Sequence, residues 1–428
     1  MIKKINPASS LKGELILPPD KSISQRAAIF SLLHEGVSEV KNYSQAQDPQ
    51  STLSCVQQLG AEVKEEKGAL FIKGTGRSHI KTPDKDLDCG NSGTAMRLLS
   101  GVLVGAGISA KLVGDESLCG RTMTRIINPL EKMGAHILAR NSAYAPLFIN
   151  RNEALKPLKF ELPIPSAQLK SCVLLAGLFG EELTQVIEIL PSRDHTERLL
   201  SLDQKVIQDR RIISASSADE IPNQSYTIPG DFSAAAFWLV AGAIQKDAEI
   251  KIENVGLNPT RSALLDILSE MGADITIENE RMEGAEPAGD IIVKGSDLKA
   301  VEIDPKIIPN CIDELPVIAV AMLFAEGTSK IAGAEELRHK ETDRIMAMAK
   351  MLKAVGADFK EKEDGLIIHG DPDFTFSSAT FESFHDHRIA MASAVLSLKA
   401  QKECTIKDAE SAAVSYPGFW EDLAGLMR

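Results

Sequence analysis

The side chains that could do chemistry in this chain gather in short polar clusters, each close to an apolar stretch. The densest is RHKETDRIMAMAKML, Arg338 to Leu352. Read as a helix start, it sets Lys340 and Arg344 one turn apart with Glu341 beside them, an acid or base inside a cationic frame. A solvated helix face laced with i,i+4 pairs has the same composition. The apolar segment just upstream favours chemistry: it opens with Asp313 and Glu314, and a carboxylate at a helix start near cations stays ionised and can accept a proton.

Other clusters follow the same grammar. DKSISQR supplies Lys21, Ser22 and Arg26; GNSGTAMR supplies Asn91, Gly93 and Arg97; SAQLKS supplies Ser166, Gln168 and Lys170; HDHR supplies His387 and Arg388. ESLCGRTM places Arg121 at a further expected helix start. A helix start leaves N–H groups without partners and carries about half a positive charge, so cations and small residues there suit an anion. Six such tips aimed at one place would attract multiply charged anions, and that convergence is the central expectation.

Several chemistries are excluded. GNSGTAMR has neither the GxxxxGK[ST] spacing of a nucleotide loop nor GxGxxG, so ATP and NAD are not expected. His385 and His387 of HDHR lack a supporting acid or cysteine pattern, so no metal is expected either. Six cysteines (55, 89, 119, 172, 311, 404) lie far apart with no CxxC, and read as reduced thiols of a cytosolic protein. No cofactor is implied.

The elements that must hold these clusters form a repeat. Apolar helices are expected after the polar starts at Asp20, Leu87, Ser166, Gly230, Ile312 and His385, roughly 60 to 80 residues apart. Each is too apolar for a surface position and leads into a β-type run: VSEVKNY, ISAKLVG, TQVIEIL, AEIKIENV, TSKIAGA, CTIKDA. A second signal, a helix stopping at glycine before a strand, recurs at Gly60, Gly134, Gly272 and Gly356. Most of those strands lead through a turn to another. The pattern predicts an α/β (α+β) fold of mixed sheets covered by helices, in units too small to stand alone. At 428 residues two domains are expected. The seam falls near Ile228 to Asp231, after the loop-like SASSADEIPNQS, giving one domain of residues 1–18 plus 230–428 and another of 19–229. The strand-like segment Ile5 to Leu17 is expected to pair with the later domain.

A formal net charge of −13 argues against nucleic-acid or acidic-membrane binding, but not against a small phosphorylated substrate met by locally concentrated cations. With 5% aromatic residues and no aromatic stripe among the basic ones, single-strand stacking is not expected. The first residues lack an apolar leader region and no apolar run is long enough to span a bilayer, so a cytoplasmic protein is expected.

Nine ordered motifs, LPPDKSISQRA, GNSGTAMRLL, SAQLKS, SRDHTERLL, PGDFSAAAF, DELPVIAVAM, RHKETDRI, DHRIAMA and SYPGFWEDL, resemble the 5-enolpyruvylshikimate-3-phosphate synthases over nearly the whole chain. The resemblance implies a two-domain inverse α/β barrel of six βαβαββ-type repeats with the active site in the interdomain cleft. It implies transfer of the enolpyruvyl group of phosphoenolpyruvate to the 5-hydroxyl of shikimate 3-phosphate, without metal or organic cofactor, by a monomer that glyphosate inhibits. Carried over by motif, Lys21, Ser22 and Arg26 would meet shikimate 3-phosphate, with Lys21 also touching phosphoenolpyruvate. Ser166, Ala167 and Gln168 match the family's SSQ or SAQ stretch, and Arg193 would hold the ring's phosphate. Gly93, Arg121, Arg344 and Arg388 would frame phosphoenolpyruvate. Asp313 would accept the hydroxyl proton, Glu341 would serve the carbon proton transfers, and Lys340 would lie against the shikimate part.

The chain departs from the family pattern at Pro19, Gln25, Thr122 and Val414. The first three read as substitutions outside the contact shell; Val414, where some members carry lysine, leaves more acid work to Lys21 or Glu341. A related transferase uses a UDP-sugar acceptor, and Cys119 superficially resembles its reactive cysteine, but Lys21-Ser22 stands where that enzyme has Lys-Asn. An anion-binding module without catalysis is the rival of another class; both candidate carboxylates and the full cation set argue against it.

Overall fold

Six helices without a polar face need a position covered on all sides, and the structure gives them one. The computed structural model describes residues 1–151, 154–222 and 225–427; Asn223 and Gln224 of the loop-like stretch before the expected seam lie outside the described residues. Every residue of helices Phe232–Ile244, Leu315–Leu323 and His387–Ser397 is buried. Helices Lys21–Leu33, Gly93–Gly105 and Ala167–Gly177 are buried along most of their length. Such uniform burial suits the middle of a core.

Contacts divide the chain into two units, each with its own core: Met1–Pro18 with Pro229–Arg281 and Pro287–Arg428, hereafter unit 1, and Pro19–Ile228 with Met282–Glu286, unit 2. In all but one of the sheets the strand that follows a buried helix sits between a parallel and an antiparallel neighbour. In unit 2, Glu35–Lys41 pairs in parallel with Ser225–Thr227 and antiparallel with Ala69–Thr75. Ala110–Val113 lies likewise between Leu87–Asp88 and Tyr144–Asn150, and Thr184–Glu188 between Lys159–Glu161 and Arg210–Ala215. A further antiparallel strand follows in each sheet: Glu62–Glu66, His136–Arg140 and Gln204–Ile207.

Unit 1 repeats the arrangement with two variations. Glu249–Gly256 pairs in parallel with Lys12–Ile16 and antiparallel with Glu286–Lys294, so the N-terminal segment does pair with later residues. Gly327–Ile331 pairs antiparallel with Gly365–Gly370, and isolated parallel bridges Lys299 to Glu326 and Glu302 to Lys330 stand where a parallel strand would run. Cys404–Lys407 has Thr380–Glu382 in parallel, but its antiparallel partner is Ile2–Ile5, from the opposite end of the chain. Among the described residues six sheets, four of them four-stranded and two three-stranded, answer the six repeats expected from the sequence.

Local chemistry fixes both ends of the helices. Asp20, Ser92, Ser166, Asp231 and Asp386 each cap a buried helix with a side-chain oxygen. Gly60, Gly134, Gly272 and Gly356 follow surface helices at φ of +110°, +99°, +89° and +76°, the left-handed stop their positions require. SYPGFWEDL proves to be core: Trp238 donates its indole N–H to Tyr416 Oη at 3.1 Å, and Phe419 stacks on Trp238 with centroids 5.0 Å apart. Among the described residues no helix is long and apolar enough to cross a membrane.

The buried helices of unit 2 approach closely at Gly101, where an added Cβ would stand 2.2 Å from the Cys172 carbonyl oxygen. Backbone cannot swing aside as a side chain can. Gly101→Ala is expected to destabilise by about 1–3 kcal/mol, whereas Gly425→Ala, with open space around its Cβ, leaves the thermal midpoint unchanged or slightly raised; circular dichroism melts of the two variants check this.

Candidate functional site

In unit 1 the expected residues meet around one guanidinium. Arg344, 1% exposed, donates from Nε to Asp386 Oδ2 at 2.8 Å, from Nη1 to Asp313 Oδ1 at 3.1 Å and from Nη2 to Glu341 Oε2 at 2.7 Å. Burial works against its charge, but Asp386, Glu341 and Asp313 more than offset that and hold the guanidinium above its usual range. Asp313 collects further cations: Lys340 Nζ bonds its Oδ1 at 3.3 Å, and Arg388 Nη2 lies 3.7 Å from its Oδ2. Asp386 caps the His387–Ser397 helix by accepting from the Arg388 and Ile389 amides, so the residue that anchors Arg344 also fixes where Arg388 leaves the backbone.

The sequence reading needs one correction here. Lys340 and Glu341 are not on a helix: a 3-10 turn, Glu335–His339, ends at an extended Lys340, and the helix Arg344–Ala354 begins only after Asp343 caps it. Asp343 accepts the Met346 amide at 3.0 Å and takes Arg338 Nη1 at 2.7 Å, which explains the late start. The expected cationic frame forms all the same, held by ion pairs across elements instead of helical spacing.

In unit 2 three helix starts are tied together. Gln25 donates to Ser92 Oγ at 2.6 Å and Thr52 Oγ1 at 2.9 Å, joining the Lys21 helix to the cap of the Gly93 helix. Gln25 is fully buried and bridges elements, a part the reading as a neutral replacement missed. Arg97 hydrogen-bonds Gln168 Oε1, and Gln168 Nε2 donates to Thr94 Oγ1 at 2.9 Å, which joins the Gly93 helix to the Ala167 helix that Ser166 caps. Lys21 Nζ pairs with Asp48 at 3.0 Å and remains partly open to solvent. A Cβ on Gly93 would lie 2.9 Å from Arg97 Nη1 and 3.7 Å from Arg121 Nη1, so this glycine lets two guanidinium groups converge on one helix start.

Arg26 is buried, with Nε on Thr196 Oγ1 at 2.8 Å, Nη2 on Ser171 Oγ at 3.2 Å and Nη1 on the Ser22 carbonyl at 3.1 Å. Burial pushes its guanidinium down to about 10; Glu197 and Asp20 oppose the shift, and the positive Arg193 adds to it.

Two expectations fail in unit 2. Lys170 does not await an outside anion: fully buried, it already pairs with Glu197 at 2.6 Å and Glu188 at 2.9 Å, inside the core polar network. Arg121 is not at a helix start but follows the four-residue helix Glu116–Cys119 and its Gly120 cap; there its Nη2 bonds Asn91 Oδ1 at 2.8 Å. Thr122 bridges to Tyr144 and shares a 2.9 Å hydrogen bond with Thr124 Oγ1. The Cys119 thiol donates to the Gly114 carbonyl. Among the described residues no cluster could hold a metal ion.

Comparison with known proteins follows the same lines. The family model for EPSP synthase (3-phosphoshikimate 1-carboxyvinyltransferase) matches residues 5–423. The chain is 51% identical over 428 residues to a 3-phosphoshikimate 1-carboxyvinyltransferase of Salinibacter ruber, covering 99% of each. It superposes on a solved EPSP synthase of Acinetobacter baumannii with TM-score 0.87 at 39% identity, covering 100% of this chain and 98% of that one. The enolpyruvyl transferase NikO of Streptomyces tendae shares the fold, with TM-score 0.77 at 15% identity.

Removing the hub cation leaves the buried Asp386 carboxylate without its ion-pair partner. Arg344→Met is expected to lower stability by about 3–5 kcal/mol near neutral pH. The deficit should shrink as pH falls towards 4, because an unpaired buried carboxylate recovers by binding a proton; urea melts at pH 7 and pH 4.5 measure both effects.

Proposed function

The chain belongs to the EPSP synthase family, and from that membership we propose that it transfers the enolpyruvyl group of phosphoenolpyruvate to the 5-hydroxyl of shikimate 3-phosphate, releasing inorganic phosphate. The observation that carries the residue roles is the cluster at Asp313, a carboxylate facing Lys340, Arg344 and Arg388 within 4 Å. Shikimate 3-phosphate meets Lys21, Ser22, Arg26, Ser166, Ala167, Gln168 and Arg193, and its ring meets Lys340. Phosphoenolpyruvate meets Lys21, Gly93, Arg121, Arg344 and Arg388.

The chemistry runs in two stages. A proton adds to the methylene carbon of phosphoenolpyruvate while the 5-hydroxyl oxygen bonds to C2, giving a tetrahedral adduct; Asp313 takes the hydroxyl proton, and Glu341 and Lys21 are the candidate acids. The C2–O bond to phosphate then breaks, the methyl group returns a proton to Glu341, and the double bond reforms. Charge builds on the phosphate as it leaves, where preorganised guanidinium groups act most strongly. Arg344 is already bonded to three carboxylates, so it lends its charge and holds Asp313 and Glu341 in place. The enzyme works as a cytoplasmic monomer, and glyphosate inhibits it.

Asp313→Ala is expected to lower kcat by about a hundredfold or more, the scale of a lost proton acceptor, while the Kd for shikimate 3-phosphate changes far less; turnover and calorimetric titration on the same variant test this, and unchanged turnover removes Asp313 from the mechanism. Gly93→Ala forces Arg97 to move and is expected to raise the KM for phosphoenolpyruvate by about tenfold, with a parallel loss of glyphosate sensitivity; steady-state assays across inhibitor concentration give both readings.

A further inference from the structure

The PGDFSAAAF motif carries a chain of buried polar contacts in unit 1 that the proposed chemistry does not use. Asp231 caps the Phe232–Ile244 helix through the Ser233 amide at 2.8 Å and accepts Arg261 Nη2 at 2.7 Å. The same Arg261 nitrogen bonds Ser233 Oγ at 3.1 Å, and Ser233 Oγ in turn donates to Glu314 Oε1. Glu314 is fully buried at the start of helix Leu315–Leu323, its Oε1 lies 3.5 Å from Arg388 Nη1, and its buried Oε2 takes no hydrogen bond. Arg388 Nη2 faces Asp313 Oδ2 at 3.7 Å, so two consecutive carboxylates address the two ends of one guanidinium.

We infer that Glu314, held by Ser233 and Arg261, is a positioning residue that sets the Arg388 guanidinium for phosphoenolpyruvate. This rests on the reading that Arg388 meets that substrate. A buried carboxylate has little freedom, because Ser233 is fixed by the helix cap and Arg261 by Asp231. Asp313 by contrast divides its charge among three cations and is left to do so once Glu314 holds Nη1. A guanidinium gripped at both ends presents its remaining N–H groups in one plane, as bidentate recognition of a carboxylate or phosphate demands.

The test uses the full-length enzyme and both substrates. Glu314→Gln keeps an oxygen for Ser233 but removes the charge facing Arg388; it is expected to raise the KM for phosphoenolpyruvate about tenfold, the scale of a lost charged hydrogen bond, with the KM for shikimate 3-phosphate within about twofold. Ser233→Ala, which leaves both charges in place and loosens only the anchor, is expected to raise the same KM by about threefold and carries the test alone if the first variant does not fold. A rise shared equally by the two substrates, or none in either variant, overturns the inference. Arg388→Ala is assayed in parallel: if it raises the phosphoenolpyruvate KM while the other two variants do not, only the positioning role of Glu314 fails, and if it too is without effect, the reading of Arg388 fails with it.

Discussion

A desolvated ion pair underlies the candidate site: Arg344 and Asp386, 2.8 Å apart and both buried. Removing two charges from water is costly, and such a pair persists only where further hydrogen bonds occupy the remaining donors and acceptors. Here they do. Asp386 also caps a helix, and Arg344 also holds Asp313 and Glu341. The pair therefore couples three segments distant in sequence, 313, 341–344 and 386–388, and any loosening at one is felt at the others. Unit 2 solves the same problem with neutral groups, tying its helix starts through Gln25, Ser92, Thr94 and Gln168.

Much of this was legible in the residues. The six buried helices declared themselves by having no polar face, and the four glycine stops by their place between a helix and a strand; both follow from local rules that tertiary packing has no reason to override. The candidate cations were legible only as Lys and Arg beside apolar helices; that Arg26, Arg344 and Arg388 are themselves buried was not. What could not be read was where each charge is spent. Lys170 lies in the first turns of its helix, near a start as the expected anion binders are, yet two glutamates from later segments, Glu188 and Glu197, claim it. Lys21, the first residue of its helix, meets Asp48 and stays partly open.

Two further misses share a cause. RHKETDRI has the spacing of a helix, but Asp343 is a stronger cap than anything before it, so the helix starts at Arg344 and Lys340 and Glu341 are left in the preceding turn. Gln25 looked like a neutral replacement because its partners, Thr52 and Ser92, are 27 and 67 residues away. A signal was present in the sequence: a glutamine inside an apolar helical run must satisfy its amide somewhere.

The strand Ile2–Ile5 completes the sheet that Cys404–Lys407 and Thr380–Glu382 begin. In a nascent chain this strand therefore lacks that neighbour until Cys404–Lys407 has been made. Residues 19–228, uninterrupted in sequence, can condense during synthesis, whereas the other core must wait for the segment Cys404–Lys407, and its assembly rests on contacts between segments far apart in sequence.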